Sequence, residues 1–175
     1  CPGALNKLKE SVQNLKAIKP NYPGAGRTVI HKLKFREWAA IMDTAKATGL
    51  DQISYLPADI SSNAFNRKTP WDTQRQNDVL PAEEELVELQ ETLDWIKITY
   101  RRFFAERFIV ESPEKLQKIH DHYSAVYGKN PFPYKKCNAP WVSAVVEADG
   151  SVRPCFFHEA LGNIRDQYLD HILTC

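Results

Sequence analysis

The chain has 175 residues, 43% of them hydrophobic, enough to bury one sizeable core or a core with a small appendage, which excludes a disordered chain. Lys and Arg total 23 against 22 Asp and Glu, a formal charge of +1, so no strong field points to nucleic acid or an anionic membrane as a partner. No apolar run approaches the roughly 18 residues of a membrane span, and nothing at Cys1 resembles a secretory leader, so the expectation is a soluble cytoplasmic protein.

Leu5, Leu8, Val12, Leu15 and Ile18 recur at spacings of three and four, which predicts an amphipathic helix over residues 4–19, ended by Pro20. After a turn at Asn21–Gly26, Thr28-Val29-Ile30 predicts a short strand. Phe35 to Thr48 predicts a second helix with Trp38, Ile41, Met42 and Ala45 on one face, stopped by Gly49. Gln52 to Leu56 is a second strand, closed by Pro57. This rhythm is that of an α/β layer with parallel strands. Two strands alone cannot bury both helices, so partner strands are expected from elsewhere.

Residues 58–80 are polar and turn-rich, with Asp59, Ser61, Ser62, Asn63, Asn66, Arg67 and Pro70-Trp71. At a strand's C-terminal end such a loop is where an α/β barrel places binding groups, and it reads equally as an exposed excursion. Leu86, Leu89, Leu93, Ile96, Tyr100 and Phe103 then predict a long packed helix rather than a coiled coil. Ser112-Pro113-Glu114 has the form of a helix cap, with the helix running to about Tyr127, and Gly128 to Pro133 is a hinge.

Beyond that hinge, Cys137 and Cys155 bracket a predicted β-hairpin. Val142, Ala144 and Val146 alternate with Ser143, Val145 and Glu147; Asp149-Gly150 makes the turn; Val152 starts a return strand that Pro154 cuts short. A hairpin with thiols near both bases supplies two ligands for a metal at little loop-closure cost. The spacing is too long for a zinc knuckle. Cys175 lies past a Gly162-Asn163 turn and the amphipathic stretch Ile164–Leu173, near enough to return as a third ligand, whereas Cys1 is a bystander. Buried structural thiols and a disulfide are the competing readings. Trp141 reads as a shield for a cluster or as a core aromatic, and His158 as an unusual ligand or a structural histidine. There is no P-loop, nucleophile elbow, Gly-x-Gly-x-x-Gly or His-Glu-x-x-His.

Cys137, a spacer of about a dozen residues, Gly150, four residues and Cys155, followed by a Gly162-Asn163 turn, closely resembles the start of the SPASM domain of radical S-adenosylmethionine (radical SAM) enzymes. Upstream, the two strand-helix units resemble the second half of the radical SAM barrel, although residues 81–127 carry the resemblance least. It implies an α/β fold, the C-terminal half of a partial (β/α)6 barrel over residues 1–130, then a truncated SPASM domain with a small hairpin and helix over 131–175.

In such proteins the two cysteines are ligands of an auxiliary [4Fe-4S] cluster, so Cys137 and Cys155, with Cys175 as a third, are the expected metal ligands. By the same resemblance His31 lines the S-adenosylmethionine pocket and Tyr55, Leu56 and Pro57 lie near the adenine, against plain roles as strand-end cap and core. His31 and Asp59 would share one rim of the sheet. Lys34 stands where the family often has asparagine, and Lys32, Lys34 and Arg36 read as a solvated helix face.

Two features depart from the family: the Cys-x-x-x-Cys-x-x-Cys motif for the SAM-binding cluster is absent, and so are the later SPASM cysteines. In an intact relative a 5′-deoxyadenosyl radical abstracts a substrate hydrogen, and the substrate is often a peptide or protein. The expectation is therefore a piece of an oxidoreductase, inactive alone, that needs the missing barrel half or a partner chain. The alternatives are a non-catalytic iron-sulfur or electron-transfer module working with another polypeptide, and a purely structural domain.

Overall fold

A computed structural model describes residues 3–60, 64, 69, 71–134 and 136–174. The chain divides into two compact units, Cys1–Ala58 with Thr73–Pro133, and Asp59–Asp72 with Tyr134–Cys175. Residues 59–72 thus group with the C-terminal segment. Much of that excursion, including Ser61, Ser62, Asn63, Asn66, Arg67 and Pro70, lies outside the described residues, as do Cys1 and Cys175.

In the first unit α1 (Ala4–Ile18) leads to β1 (Ala25–Ile30), α2 (Trp38–Ala47) and β2 (Gln52–Pro57). β1 and β2 pair in parallel, with Ala25 opposite Gln52 and Ile30 opposite Pro57. α2 starts three residues later than expected because residues 32–37 form turns, in which Lys34 N and Phe35 N both donate to His31 O. It buries Trp38, Met42 and Ala45 and ends before Gly49, whose φ of 89° few other residues adopt. Gly26 permits close approach to the turn between α2 and β2: a Cβ there would lie 2.8 Å from Leu50 Cδ1.

After the short α3 (Thr73–Asn77), the long helical signal divides at Tyr100 into α4 (Glu85–Thr99) and α5 (Arg101–Ala105), and the separately expected α6 (Pro113–Val126) follows. Glu85 anchors the start of α4 by accepting from Ala82 N at 2.7 Å, and that bond holds its carboxyl below the usual range. Leu86, Leu89, Leu93 and Ile96, one apolar stripe, are all buried, each contributing on the order of 1.5–3 kcal/mol. Arg36 is exposed, as a solvated face implies, and from there it bridges to α4: its Nε donates to Glu88 Oε1 at 2.8 Å and its Nη2 to Glu85 Oε1 at 3.0 Å.

Between α5 and α6 the chain does something the helical periodicity hid. Arg107 takes φ 56°, and Phe108–Val110 runs alongside β2, with Ile53 N donating to Phe108 O at 2.7 Å and Val110 N to Ile53 O at 2.9 Å. Ile53 and Ile109 form a parallel bridge, a third strand-like segment beside β2. Ser112 then caps α6 as expected, its Oγ accepting from Lys115 N, with Pro113 in the first turn.

In the second unit, α7 (Ala139–Val142) precedes β3 (Val145–Val146), β4 (Ser151–Arg153), β5 (Gly162–Asn163) and α8 (Leu169–Thr174). Among the described residues, no helix is long and apolar enough to cross a membrane.

Candidate metal centre

The hairpin between the two thiols is built around Gly150. Its N–H donates to Glu147 O and Glu147 N donates to Ser151 O, both at 2.9 Å, and the turn needs the φ of 89° that glycine supplies. Asp149 Oδ1 accepts from Ser151 N at 2.9 Å, which holds the Asp149 carboxyl below its usual range. β3 and β4 are antiparallel, with Val145 opposite Arg153 and Val146 opposite Val152.

Two expectations are corrected here. The outgoing strand does not begin at Val142: residues 139–142 form the helical turn α7, with Pro140 in its first turn and Ser143 N donating back to Ala139 O at 3.0 Å. Pro140 has no N–H for a ladder, and its fixed φ suits a first helical turn. Gly162-Asn163 is not a free turn either. It forms β5, antiparallel to β4, with Leu161 N donating to Val152 O at 2.7 Å and Ile164 N to Gly150 O at 2.9 Å. Val152 is buried in the resulting three-stranded sheet, and α8 buries Ile172, whose Cγ1 would stand 3.2 Å from a Cβ on Gly162.

Cys155 follows β4 and is half-buried; Cys137 precedes α7 and is exposed; both are free thiols. Extending the β3–β4 register sets Cys155 abreast of Ser143. The α7 turn shortens the path from Cys137 to that level, since four helical residues advance about 6 Å where extended ones advance about 13 Å. Two free thiols are the right donors for an iron-sulfur cluster and half the usual number. Among the described residues no group of three or more His, Cys, Asp and Glu side chains converges. Cys175 lies outside them. Trp141 is 80% exposed and His158 is exposed, so neither forms a wall around Cys155.

One feature of this lobe was not anticipated. Arg153 Nε donates to Glu147 Oε1 at 2.7 Å, and Arg153 Nη1 donates to His158 O at 2.8 Å. His158 N in turn donates to Cys155 O at 3.2 Å, closing the turn that carries the thiol. With 147 opposite 151, Glu147 and Arg153 are diagonal cross-strand neighbours, a relationship that the sequence yields only once the register is known.

His31, Tyr55, Leu56 and Pro57 belong to the first unit. His31 follows β1, and its Nδ1 accepts from Leu33 N at 3.3 Å, leaving Nε2 for a ligand; burial and the Lys34 charge lower its pKa. Leu56 and Pro57 are half-buried at the end of β2. Tyr55 points into the core: it is 4% exposed and meets Trp38 edge to face at 5.2 Å, which is the plain core role. Asp59 falls in the second unit.

Sequence reasoning also missed Tyr123 and Glu111. Buried Tyr123 on α6 accepts from Ala58 N and donates to Ile30 O, tying together the C-terminal ends of both strands. Glu111, after the third strand-like segment, accepts from Tyr55 N at 3.1 Å. Its only sequence signal was the β-branched pair Ile109-Val110 ahead of it.

Neither the curated proteins nor the solved structures provided a match to the chain. Residues 137–175, which hold Cys137, the three-stranded sheet, Cys155 and α8, match the family model of SPASM, an iron-sulfur cluster-binding domain.

Proposed function

We propose that the chain is the C-terminal part of a radical SAM/SPASM enzyme, the closing strand-helix units of a partial barrel followed by an incomplete auxiliary-cluster domain. The observation that carries this reading is the succession along the chain. Two parallel strands and a third parallel segment alternate with helices over residues 25–126, and a SPASM-matching segment follows.

In this reading Cys137 and Cys155 hold a [4Fe-4S] cluster, with Cys175 a candidate third ligand; such a cluster supplies one-electron transfer when bound. The half-buried position of Cys155 would limit solvent access on that side, and the exposed Cys137 would add a second thiolate from the surface. His31 and the half-buried Leu56 and Pro57, with Tyr55 packed behind them, line an S-adenosylmethionine site at the ends of β1 and β2, whose spacing Tyr123 fixes. The remaining barrel strands come from a missing N-terminal half or a partner chain, and the substrate is a peptide or protein side chain. The chain alone is inactive, because no Cys-x-x-x-Cys-x-x-Cys motif stands in its 175 residues to hold the cluster on which the first electron transfer depends.

Anaerobic reconstitution with iron and sulfide, read by metal content and reduced-state electron paramagnetic resonance, tests the reading. Near-stoichiometric cluster in the wild type, lost in Cys137→Ser and in Cys155→Ser, supports it; iron binding that survives both variants overturns it. Added S-adenosylmethionine should shift the His31 ring resonances. A cluster without that shift favours the non-catalytic iron-sulfur module.

A further inference from the structure

The Arg153–Glu147 pair is more than a surface ion pair. The Glu147 side chain is 7% exposed, its Oε2 has no hydrogen-bond partner, and the Arg153 side chain is 26% exposed. A carboxylate that deep is costly unless compensated, and its compensation is a single guanidinium. That guanidinium also holds the carbonyl of His158, whose N–H holds the carbonyl of Cys155. A fixed positive charge thus sits at the mouth of the Cys155–His158 turn, two residues before the thiol, with its countercharge on the opposite strand.

We infer that Arg153 is a positioning residue for Cys155 and that the Arg153–Glu147 pair sets the reduction potential of a cluster held there. This rests on the reading of Cys155 as a cluster ligand. Reduction adds one negative charge to the cluster; a nearby cation favours that change and a nearby anion opposes it, the more so where water is scarce. Removing either member exposes the field of the other, so the two deletions shift the potential in opposite directions although both break the same ion pair. A role confined to holding the hairpin together predicts shifts of one sign.

The test is a redox titration of the reconstituted chain at pH 8, followed by electron paramagnetic resonance. Glu147→Gln keeps the shape and an acceptor for Arg153 and should favour reduction roughly tenfold, about 59 mV for a one-electron couple. Arg153→Met should disfavour it to a similar degree, and the double variant should return close to wild type. Arg153→Lys keeps the charge but loses the fork to His158, so it should leave the potential near wild type while lowering cluster occupancy. If Arg153→Met fails to assemble a cluster, the rise in Glu147→Gln and the unchanged potential of Arg153→Lys decide the matter. Shifts of the same sign in Glu147→Gln and Arg153→Met, or less than a twofold effect in Glu147→Gln, overturn the inference alone. A wild-type cluster indifferent to Cys155→Ser overturns both the inference and the reading beneath it.

Discussion

The backbone N–H of Ala58 donates to the phenolic oxygen of Tyr123 at 2.8 Å, and the same hydroxyl donates to Ile30 O. One buried hydroxyl on α6 thus satisfies a donor at the end of β2 and an acceptor at the end of β1. Tyr123→Phe keeps the ring and strands both backbone groups. The expected loss is about 2–4 kcal/mol, read as a lower denaturant midpoint with an unchanged slope.

Tyr55 supplies the contrast. Its hydroxyl and the Trp38 Nε1 are buried close to each other with no partner at full hydrogen-bond geometry, so Tyr55→Phe gives up at most a weak contact and removes a poorly satisfied group. The substitution should be neutral or stabilising by up to about 1 kcal/mol by the same denaturant measurement.

Burial pushes the Tyr123 hydroxyl up to about 12 and raises that of Tyr55 as well. Above the ordinary tyrosine value near 10 the unfolded chain releases these protons while the folded chain keeps them, so stability is fully present below about pH 10 and falls above it. The slope contributed by each buried tyrosine is about 1.4 kcal/mol per pH unit. Stability measured between pH 9 and 11.5 should fall less steeply in Tyr123→Phe than in wild type.

Glu111 works in the opposite range. Burial raises its pKa, against the pull of the hydrogen bond from Tyr55 N, so the folded chain holds this proton more readily than the unfolded one. Its contribution is most favourable at low pH and is lost as pH rises through the folded value. Glu111→Gln keeps an acceptor for Tyr55 N; it should be more stable than wild type at pH 7 and indistinguishable from it well below the ordinary carboxylate range, by urea unfolding at the two pH values.

Gly150→Ala should damage the second unit selectively. The position has φ 89°, and a Cβ there would lie 2.5 Å from Asn163 Oδ1, at the junction of β4 and β5. A cost of about 1–3 kcal/mol is expected from the backbone alone. Reconstituted iron should drop with it, while the near-ultraviolet signal of Trp38 in the first unit persists.

What the sequence disclosed were features enforced locally. The cap at Ser112-Pro113 and the stop at Gly49 depend on one or two residues whose backbone preferences are strong, and both stand where they were expected. The segment Phe108–Val110 is too short to announce a strand between two helices, because its strand character comes from pairing with Ile53, more than fifty residues earlier. Val142–Glu147 alternated like a strand, yet Pro140 had already committed residues 139–142 to a turn. Cys137 and Cys155 were legible because thiols are few; Arg153 and Glu147 were not, since charged residues abound and only a hairpin register singles out this pair.

α1 has fifteen residues and buries none of them. Leu5 and Leu8 line an open apolar groove of about 370 Å³ against α2 and the sheet, and the firmest tether is Lys16, which donates to Asp51 Oδ2 at 2.6 Å and to Tyr22 O at 2.9 Å. Isolated helices of about this length are marginal in water, and an exposed ion pair adds at most about 1 kcal/mol. The amide hydrogens of α1 therefore exchange with solvent by local fraying, long before those of α4, whose release requires the whole unit to open.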